Sequence, residues 1–284
     1  MYNQFGPTAR ICFEIPKRKS HLNKHQHRFE AALSSVSSKV LREIIAEIFD
    51  IDKADIYLTI LLLKRLPGDD FSLATVEIIT PTAKTAVRDQ LGREPYTQRY
   101  GFYRDLASVD VSRRIVGIVY ESLAQNRLLD ATLDLFPMVQ RTPDGPGPRK
   151  KLPRWYSNHG DDASSLAIHI PSANIVTCTF VLKPDPIENN VFYARKSHQA
   201  AAVHSFIMYG NRLYIFQFTN VTEHDINEDI LSFFSQASLP PRKNWYFVFI
   251  IPPNLSGLSC SQGRDEMMKE FLEEIHLCSV VVSP

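Results

Sequence analysis

The chain's chemical potential lies in polar side chains set on otherwise apolar elements. Val203-His204-Ser205-Phe206-Ile207-Met208 and Leu213-Tyr214-Ile215-Phe216-Gln217-Phe218-Thr219 flank Gly210-Asn211, a dipeptide suited to a short hairpin because both residues tolerate positive φ. His204 then lies near the start of one strand, with Gln217 and Thr219 near the end of the next. The two-residue period of a strand puts Gln217 and Thr219 on one face. An imidazole, a carboxamide and a hydroxyl can all donate and accept hydrogen bonds, and the imidazole titrates near neutral pH, but none brings negative charge. The acidic candidate is far upstream. Glu121 sits among Ile115, Val116, Ile118, Val119, Leu123 and Ala124, in a helix predicted to start at the N-cap Ser112 and to reach about Phe136. That helix is apolar on most sides and so expected to be buried, and a buried carboxylate needs a partner; Arg114 and Arg127 are the structural alternatives to a functional role.

A second constellation is basic and aromatic. Arg141-Thr142-Pro143-Asp144-Gly145-Pro146-Gly147-Pro148-Arg149-Lys150-Lys151 leads into Arg154-Trp155-Tyr156. Arg149, Lys150, Lys151, Arg154 and Trp155 combine charges that suit a phosphate backbone with a ring on which a base can stack. The alternative is an irregular solvated insert anchored by Trp155. Lys17-Arg18-Lys19 is a further basic run with the same two readings. His159, Asp161, Asp162 and His169 are metal-type residues, yet Gly160-Asp161-Asp162 is equally good turn chemistry, and no metal is assigned to them. His224-Asp225 has no G-x-S-x-G elbow to serve; Asp225 reads most simply as the N-cap of a helix from 225 to 235.

The elements that must position these groups follow from periodicity. From His27 to Asp50, Phe29, Leu33, Val36, Val40, Leu41, Ile44, Ile45 and Ile48 recur at helical spacing, predicting one amphipathic helix. Ile56–Leu63 and Phe71–Thr80 read as strands joined through Pro67-Gly68-Asp69-Asp70, and Pro81 opens a helix at its favoured first turn. The resulting helix, hairpin and helix make a mixed unit that a winged-helix-like arrangement would close. Trp245–Ile251 is a continuous apolar run ended by Pro252-Pro253, Arg264–His276 reads as an amphipathic helix, and Leu277–Val282 as a final strand. The fold class is therefore α/β (α+β), with an N-terminal mixed unit over 1–108 and a mixed sheet flanked by helices over 109–284.

Composition narrows the classes. The 284 residues carry 32 basic and 31 acidic side chains, a formal net charge of +1, so no global basicity argues for nucleic acid. Four scattered cysteines, Cys12, Cys178, Cys260 and Cys278, have neither zinc spacing nor the density of a disulfide framework, and read as reduced thiols in an intracellular chain. No apolar run approaches the roughly 20 residues of a membrane span. No G-x-x-x-x-G-K-[ST] occurs, and Gly145-Pro146-Gly147 lacks the Lys and the helix that phosphate cradling needs, so ATP is not an expected partner.

Two stretches carry a resemblance. The order and phrasing of Phe192–Pro253, together with Val119-Tyr120-Glu121-Ser122-Leu123, resemble the nuclease-like module of fungal Crinkler and retrotransposon-hot-spot type proteins, which is similar to the restriction-endonuclease fold. Phe5-Gly6-Pro7-Thr8-Ala9-Arg10-Ile11-Cys12-Phe13-Glu14 resembles the junction that follows a P-loop ATPase region in longer members, which implies a short or truncated chain whose residues 1–108 retain the tail of the ATPase half. The resemblance implies that a helix Glu, a hairpin Asp and an (Asp/Glu/Gln)-x-Lys pair converge on Mg²⁺, the carboxylates holding the metal and the Lys stabilising developing charge. Carried over, the positions are Glu121, His204, Gln217 and Thr219, with Glu121 the one metal-type ligand. His204, Gln217 and Thr219 bring neither a carboxylate nor a lysine, so the resemblance implies a catalytically degenerate module acting in nucleic-acid or protein interaction. The alternatives are an active Mg²⁺-dependent nuclease in which Glu121 is joined by Glu188 or Glu223, and a remnant of a selfish element with no biochemical role.

Overall fold

A computed structural model describes residues 19–46, 60–65, 74–107, 113–125, 127–128, 131–142, 153–160, 163–170, 176–180, 186–195, 203–235, 238–255, 257–261 and 266–284. The chain forms two compact units, Met1–Leu123 and Ala124–Pro284, and the architecture is mixed α/β.

Within the first unit, α1 (Lys19–Ser35) and α2 (Ser38–Ala46) precede a two-stranded antiparallel ladder of β1 (Leu61–Arg65) and β2 (Ala74–Ile78). Then come α3 (Pro81–Gly92), α4 (Tyr96–Leu106) and α5 (Arg113–Gln125), within which the first unit ends at Leu123. The single helix expected over 27–50 is broken at Val36-Ser37. Ser34 and Ser35 donate their hydroxyls to the carbonyls of Ala31 and Ala32, while Ser37 Oγ accepts from the Val40 amide at 3.1 Å. The serine run thus ends one helix and caps the next. Residues 47–50, and the turn expected at 67–70, lie outside the described residues. Pro81 opens α3 as anticipated, capped by Thr80 Oγ1, which accepts from the Ala83 amide at 3.1 Å.

The second unit is built on an eight-stranded sheet. Its strands are β3 (Thr132–Pro137), β6 (Leu166–His169), β7 (Val176–Phe180), β8 (Val191–Arg195), β9 (Ser205–Tyr209), β10 (Arg212–Phe218), β11 (Trp245–Ile251) and β13 (His276–Val281), in the order β6-β3-β13-β11-β10-β9-β8-β7. The run β13-β11-β10 is parallel, β10-β9-β8 is an antiparallel meander, and β7 lies parallel to β8. Gly210 and Asn211 both have φ of 57°, the positive values a type I′ hairpin requires. The hairpin and the 245–251 strand therefore share one sheet. Every residue of β11, and all of β10 after Arg212, is buried, as suits strands covered on both faces.

Several expectations need correction here. The helix expected to run from 112 to 136 stops at Gln125, and Thr132–Pro137 is a strand with Leu133 and Leu135 buried between exposed Thr132 and Asp134; that alternation is a period-2 signal that overrides helical continuation. The 225–235 helix shrinks to α6 (Asp229–Phe233), because Asn227 Oδ1 accepts from the Asp229 amide at 2.9 Å and so sets the turn ahead of it. Asp225 is not an N-cap: its Oδ1 accepts from the Ser261 amide at 3.0 Å. Nor is Arg154-Trp155-Tyr156 part of an irregular insert. It is β5, the centre of a three-stranded antiparallel sheet between β4 (Val139–Arg141) and β12 (Ser259–Ser261). The helix expected near the C-terminus is α7 (Glu266–Glu274), which buries Met268, Phe271 and Leu272 but leaves Met267 59 % exposed.

One face of the eight-stranded sheet carries the core that matters for the site. Tyr193, Phe206, Leu213, Ile215, Phe247, Phe249 and Leu277 meet Ile230 and Phe234 at α6, and Met268, Phe271 and Leu272 of α7. Burying side chains of this size stabilises by about 1.5–3 kcal/mol each. Its rungs follow the strand register: Tyr193, Phe206, Ile215, Phe247 and Leu277 lie side by side across five strands.

Candidate functional site

One step along the same columns, the chemistry changes. The Arg195 amide donates to the His204 carbonyl at 3.0 Å, Gln217 pairs with Phe249, and Phe249 pairs with Ser279. The next rung therefore reads Arg195, His204, Gln217, Phe249 and Ser279. Arg195 and Gln217 are each only 8 % exposed, and Ser279 is fully buried. Thr219, at the next position on that face, is also buried; its amide donates to the Ile250 carbonyl, and its Oγ1 accepts from the Val221 amide.

The imidazoles close over this rung. His204 Nε2 lies 3.1 Å from the nitrogen end of the Gln217 carboxamide, and His224 Nε2 lies 3.3 Å from the same atom. The outer nitrogen of each ring is held by backbone. The Phe218 amide donates to His204 Nδ1 at 3.2 Å, whereas His224 Nδ1–H donates to the Asp225 carbonyl at 3.0 Å. A ring nitrogen that accepts from an amide is unprotonated, so neutral His204 keeps its hydrogen on Nε2; His224 has the opposite arrangement. At the far end, Ser279 Oγ lies 3.1 Å from His159 Nε2, and the His159 ring packs edge-on against Phe136.

His224 arrives on a strap tied down at several points. Its amide donates to the Ser259 carbonyl, the Ser259 amide to the Thr222 carbonyl, and Glu223 Oε2 stands 3.7 Å from Arg154 Nη2. Burial lowers the His224 pKa; the adjacent Asp225 pulls the other way, and the charge of Arg195 adds to the lowering. For Asp225, burial alone would raise the carboxyl, but the hydrogen bonds from Ser261 and the charge of Arg154 bring it below its ordinary value. Burial lowers His159 as well and pushes the Cys260 and Cys278 thiols up to about 12, which makes both inert as nucleophiles at neutral pH.

The structure thus brings His204, Gln217 and Thr219 to one end of one sheet face. Glu121 lies in the other compact unit, on α5, 5 % exposed, next to Ser122, whose Oγ accepts from Arg99 Nη1 at 2.9 Å. Arg149, Lys150 and Lys151 are outside the described residues. Arg154 and Trp155 are half-buried on β5; Trp155 packs against the core with its indole N–H buried and unbonded, so its ring is an anchor more than an open stacking platform. Glu188 and Glu223 are exposed. Sequence reasoning missed Arg195, whose apolar strand context gives no cue, and His224, whose arrival depends on a loop path.

As a metal site the rung is poor. His204 Nε2 bears a hydrogen in the neutral ring, so its lone pair is not offered to an ion. Gln217 and Thr219 supply no charge for a hard cation. Among the described residues, no group of three or more His, Cys, Asp and Glu side chains is placed to hold a metal ion. What the rung offers instead is a set of directional donors and acceptors beside one guanidinium. No family model, no curated protein and no solved structure matches the chain.

Proposed function

We propose that this chain is a catalytically degenerate nuclease-like module of the Crinkler type, which acts by binding nucleic acid or a protein partner and does not cleave phosphodiesters. The observation that carries the reading is the neutrality of His204 and Gln217: the positions that the resemblance assigns to metal-binding acids carry no charge, and they face each other at 3.1 Å, with His204 Nδ1 taken by the Phe218 amide. A pocket that serves Mg²⁺ keeps carboxylate oxygens for the ion and for substrate phosphates. Here the equivalent groups are spent on the sheet.

Support for a restriction-endonuclease-like arrangement is the succession of the β8–β9–β10 meander, α6 and parallel β11. Residues 1–108 are read as the tail of an ATPase region with no nucleotide chemistry of its own. Mg²⁺ belongs only to the rival reading, in which Glu121 acts with Glu188 or Glu223.

The test is incubation of purified protein with supercoiled plasmid and Mg²⁺. No nicking above background is expected, and the variant His204→Asp/Gln217→Glu/Thr219→Lys should bind Mg²⁺ more tightly than the parent. Robust Mg²⁺-dependent nicking abolished by Glu121→Ala overturns the proposal. Fluorescence anisotropy with labelled DNA then separates the binding modes: a DNA binder loses affinity with rising salt and on combined replacement of Arg149, Lys150 and Lys151 by alanine, while a protein-interaction module shows no DNA binding.

A further inference from the structure

The two imidazoles make incompatible demands on Gln217. Neutral His204, with Nδ1 taken by the Phe218 amide, presents Nε2–H; neutral His224, with Nδ1–H given to the Asp225 carbonyl, presents a bare Nε2 lone pair. Both Nε2 atoms face the same end of the carboxamide. A carboxamide can present either its NH₂ or its oxygen to that point. With NH₂ there, the bond to His224 is made and His204 meets a donor with a donor. With oxygen there, the bond to His204 is made and His224 meets an acceptor with an acceptor. No neutral state satisfies both contacts.

One proton removes the conflict. Added at His224 Nε2, it turns that ring into a donor on both nitrogens. The carboxamide oxygen then accepts from His204 and His224 together, and the Asp225 carbonyl keeps its bond. A proton on His204 has no such effect, because it would fall on Nδ1, against the Phe218 amide. We propose that His204, Gln217 and His224 form a proton-gated latch, in which protonation of His224 with its Nε2–H bonded to the Gln217 oxygen ties the 220–226 strap to the end of β10.

The electrostatic setting is mixed, which suits a latch that is open at neutral pH. Arg195 of β8 and the burial of the ring oppose the proton. Asp225 and Glu223 on the strap favour it, Glu223 being shared with Arg154 of β5. His204 faces His224 across Gln217; Cys260 of β12 stays a neutral thiol, and Phe249 of β11 contributes only its ring. The strap is also the segment that β12 grips through Ser259 and Ser261, so closing the latch tightens the seam between the small sheet and the large one. The latch rests on hydrogen-bond polarity alone and would operate whether or not the chain is nuclease-like.

The test is ¹⁵N-detected NMR of the full chain over a pH titration. At pH 7.5, His204 should show the Nε2–H tautomer and His224 the Nδ1–H tautomer. On acidification, the Gln217 side-chain amide resonances should move with the midpoint of His224. In Gln217→Leu the imidazolium loses its acceptor, and the His224 midpoint should fall by about half a unit or more. Hydrogen exchange supplies an independent reading on the wild type: amides of 220–226, corrected for intrinsic rates, should gain protection below the midpoint. The proposal is overturned if His204 is the Nδ1–H tautomer, if the Gln217 amide ignores the His224 titration, or if Gln217→Leu leaves the midpoint unchanged. Should that variant not fold, the two wild-type readouts decide.

Discussion

Two neighbouring rungs of the same five strands are built to different rules. Tyr193, Phe206, Ile215, Phe247 and Leu277 lie under α6 and α7 and are packed ring against ring; Phe206 alone contacts Tyr193 at 4.8 Å and Phe234 at 5.1 Å between ring centroids. One step on, Arg195, His204, Gln217 and Ser279 replace all but the aromatic of β11. Both rungs are largely buried, so exposure does not explain the change. Each polar group in the second rung has to be matched by a partner of the right polarity, and each costs desolvation that the first rung avoids. A sheet that gives up an apolar rung in its own interior gains a set of directional contacts, at the price of part of its core.

The contrast is broken most severely at the apolar rung. Phe206→Ala should remove about 3–5 kcal/mol, as for buried aromatics generally, read as a lower urea midpoint with an unchanged slope; a loss below 1 kcal/mol would mean that the face is not the close-packed centre described. At the polar rung, Gln217→Leu removes the one imidazole bond that the neutral rings allow and should cost about 1–3 kcal/mol at pH 7.5. The decisive comparison is its pH dependence. Because the latch bond forms with the protonated ring, the gap between wild type and Gln217→Leu should widen as pH falls through the His224 midpoint, and a gap independent of pH between 8 and 5.5 would merge the two rungs into one packing problem.

Smaller effects sharpen the boundary between packing and backbone geometry. Gly210→Ala should cost about 1–2 kcal/mol, because its φ of 57° is a left-handed value that a side chain resists, although an added Cβ meets nothing within 4 Å. Asn211→Gly, at the same φ, should be neutral to mildly stabilising, so the pair isolates conformation from contact. In the other unit, Thr80→Ala should remove about 1 kcal/mol through the lost α3 cap. If units Met1–Leu123 and Ala124–Pro284 unfold independently, only the transition of the unit that holds Thr80 moves.

Much of the second unit could be read from local signals. Gly210-Asn211 between two apolar runs specifies a type I′ hairpin because few other pairs accept those angles, and the uninterrupted Trp245–Ile251 run announces a strand buried on both faces. The first unit's helix break was less visible: apolar spacing continued through Val36, and the serine run that ends α1 and starts α2 acts by hydrogen bonds that periodicity does not register. Thr132–Pro137 was absorbed into the preceding helix although Leu133 and Leu135 already alternated. The site was half legible. His204, Gln217 and Thr219 follow from strand parity, whereas His224 and Arg195 join them only through register and a strap, which are long-range facts with no local signature. Asp225 shows the opposite error, a residue whose local role as a cap was plausible and whose carboxylate is instead taken by Ser261, 36 residues away.

The position of β13 between β11 and β3 also sets the order in which the sheet can be assembled. β3 and β6 can zip together early, and so can the β8–β9–β10 meander, but within the eight-stranded sheet the two halves share no described ladder until residues 276–281 arrive and add to both at once. Such closure over long sequence separation is slow compared with hairpin formation. During that interval β11 offers an unpaired, wholly apolar edge of the kind that templates association between chains. A chain cut before His276 would be held in that state, so its characteristic failure would be aggregation at β11, with the type I′ hairpin still formed.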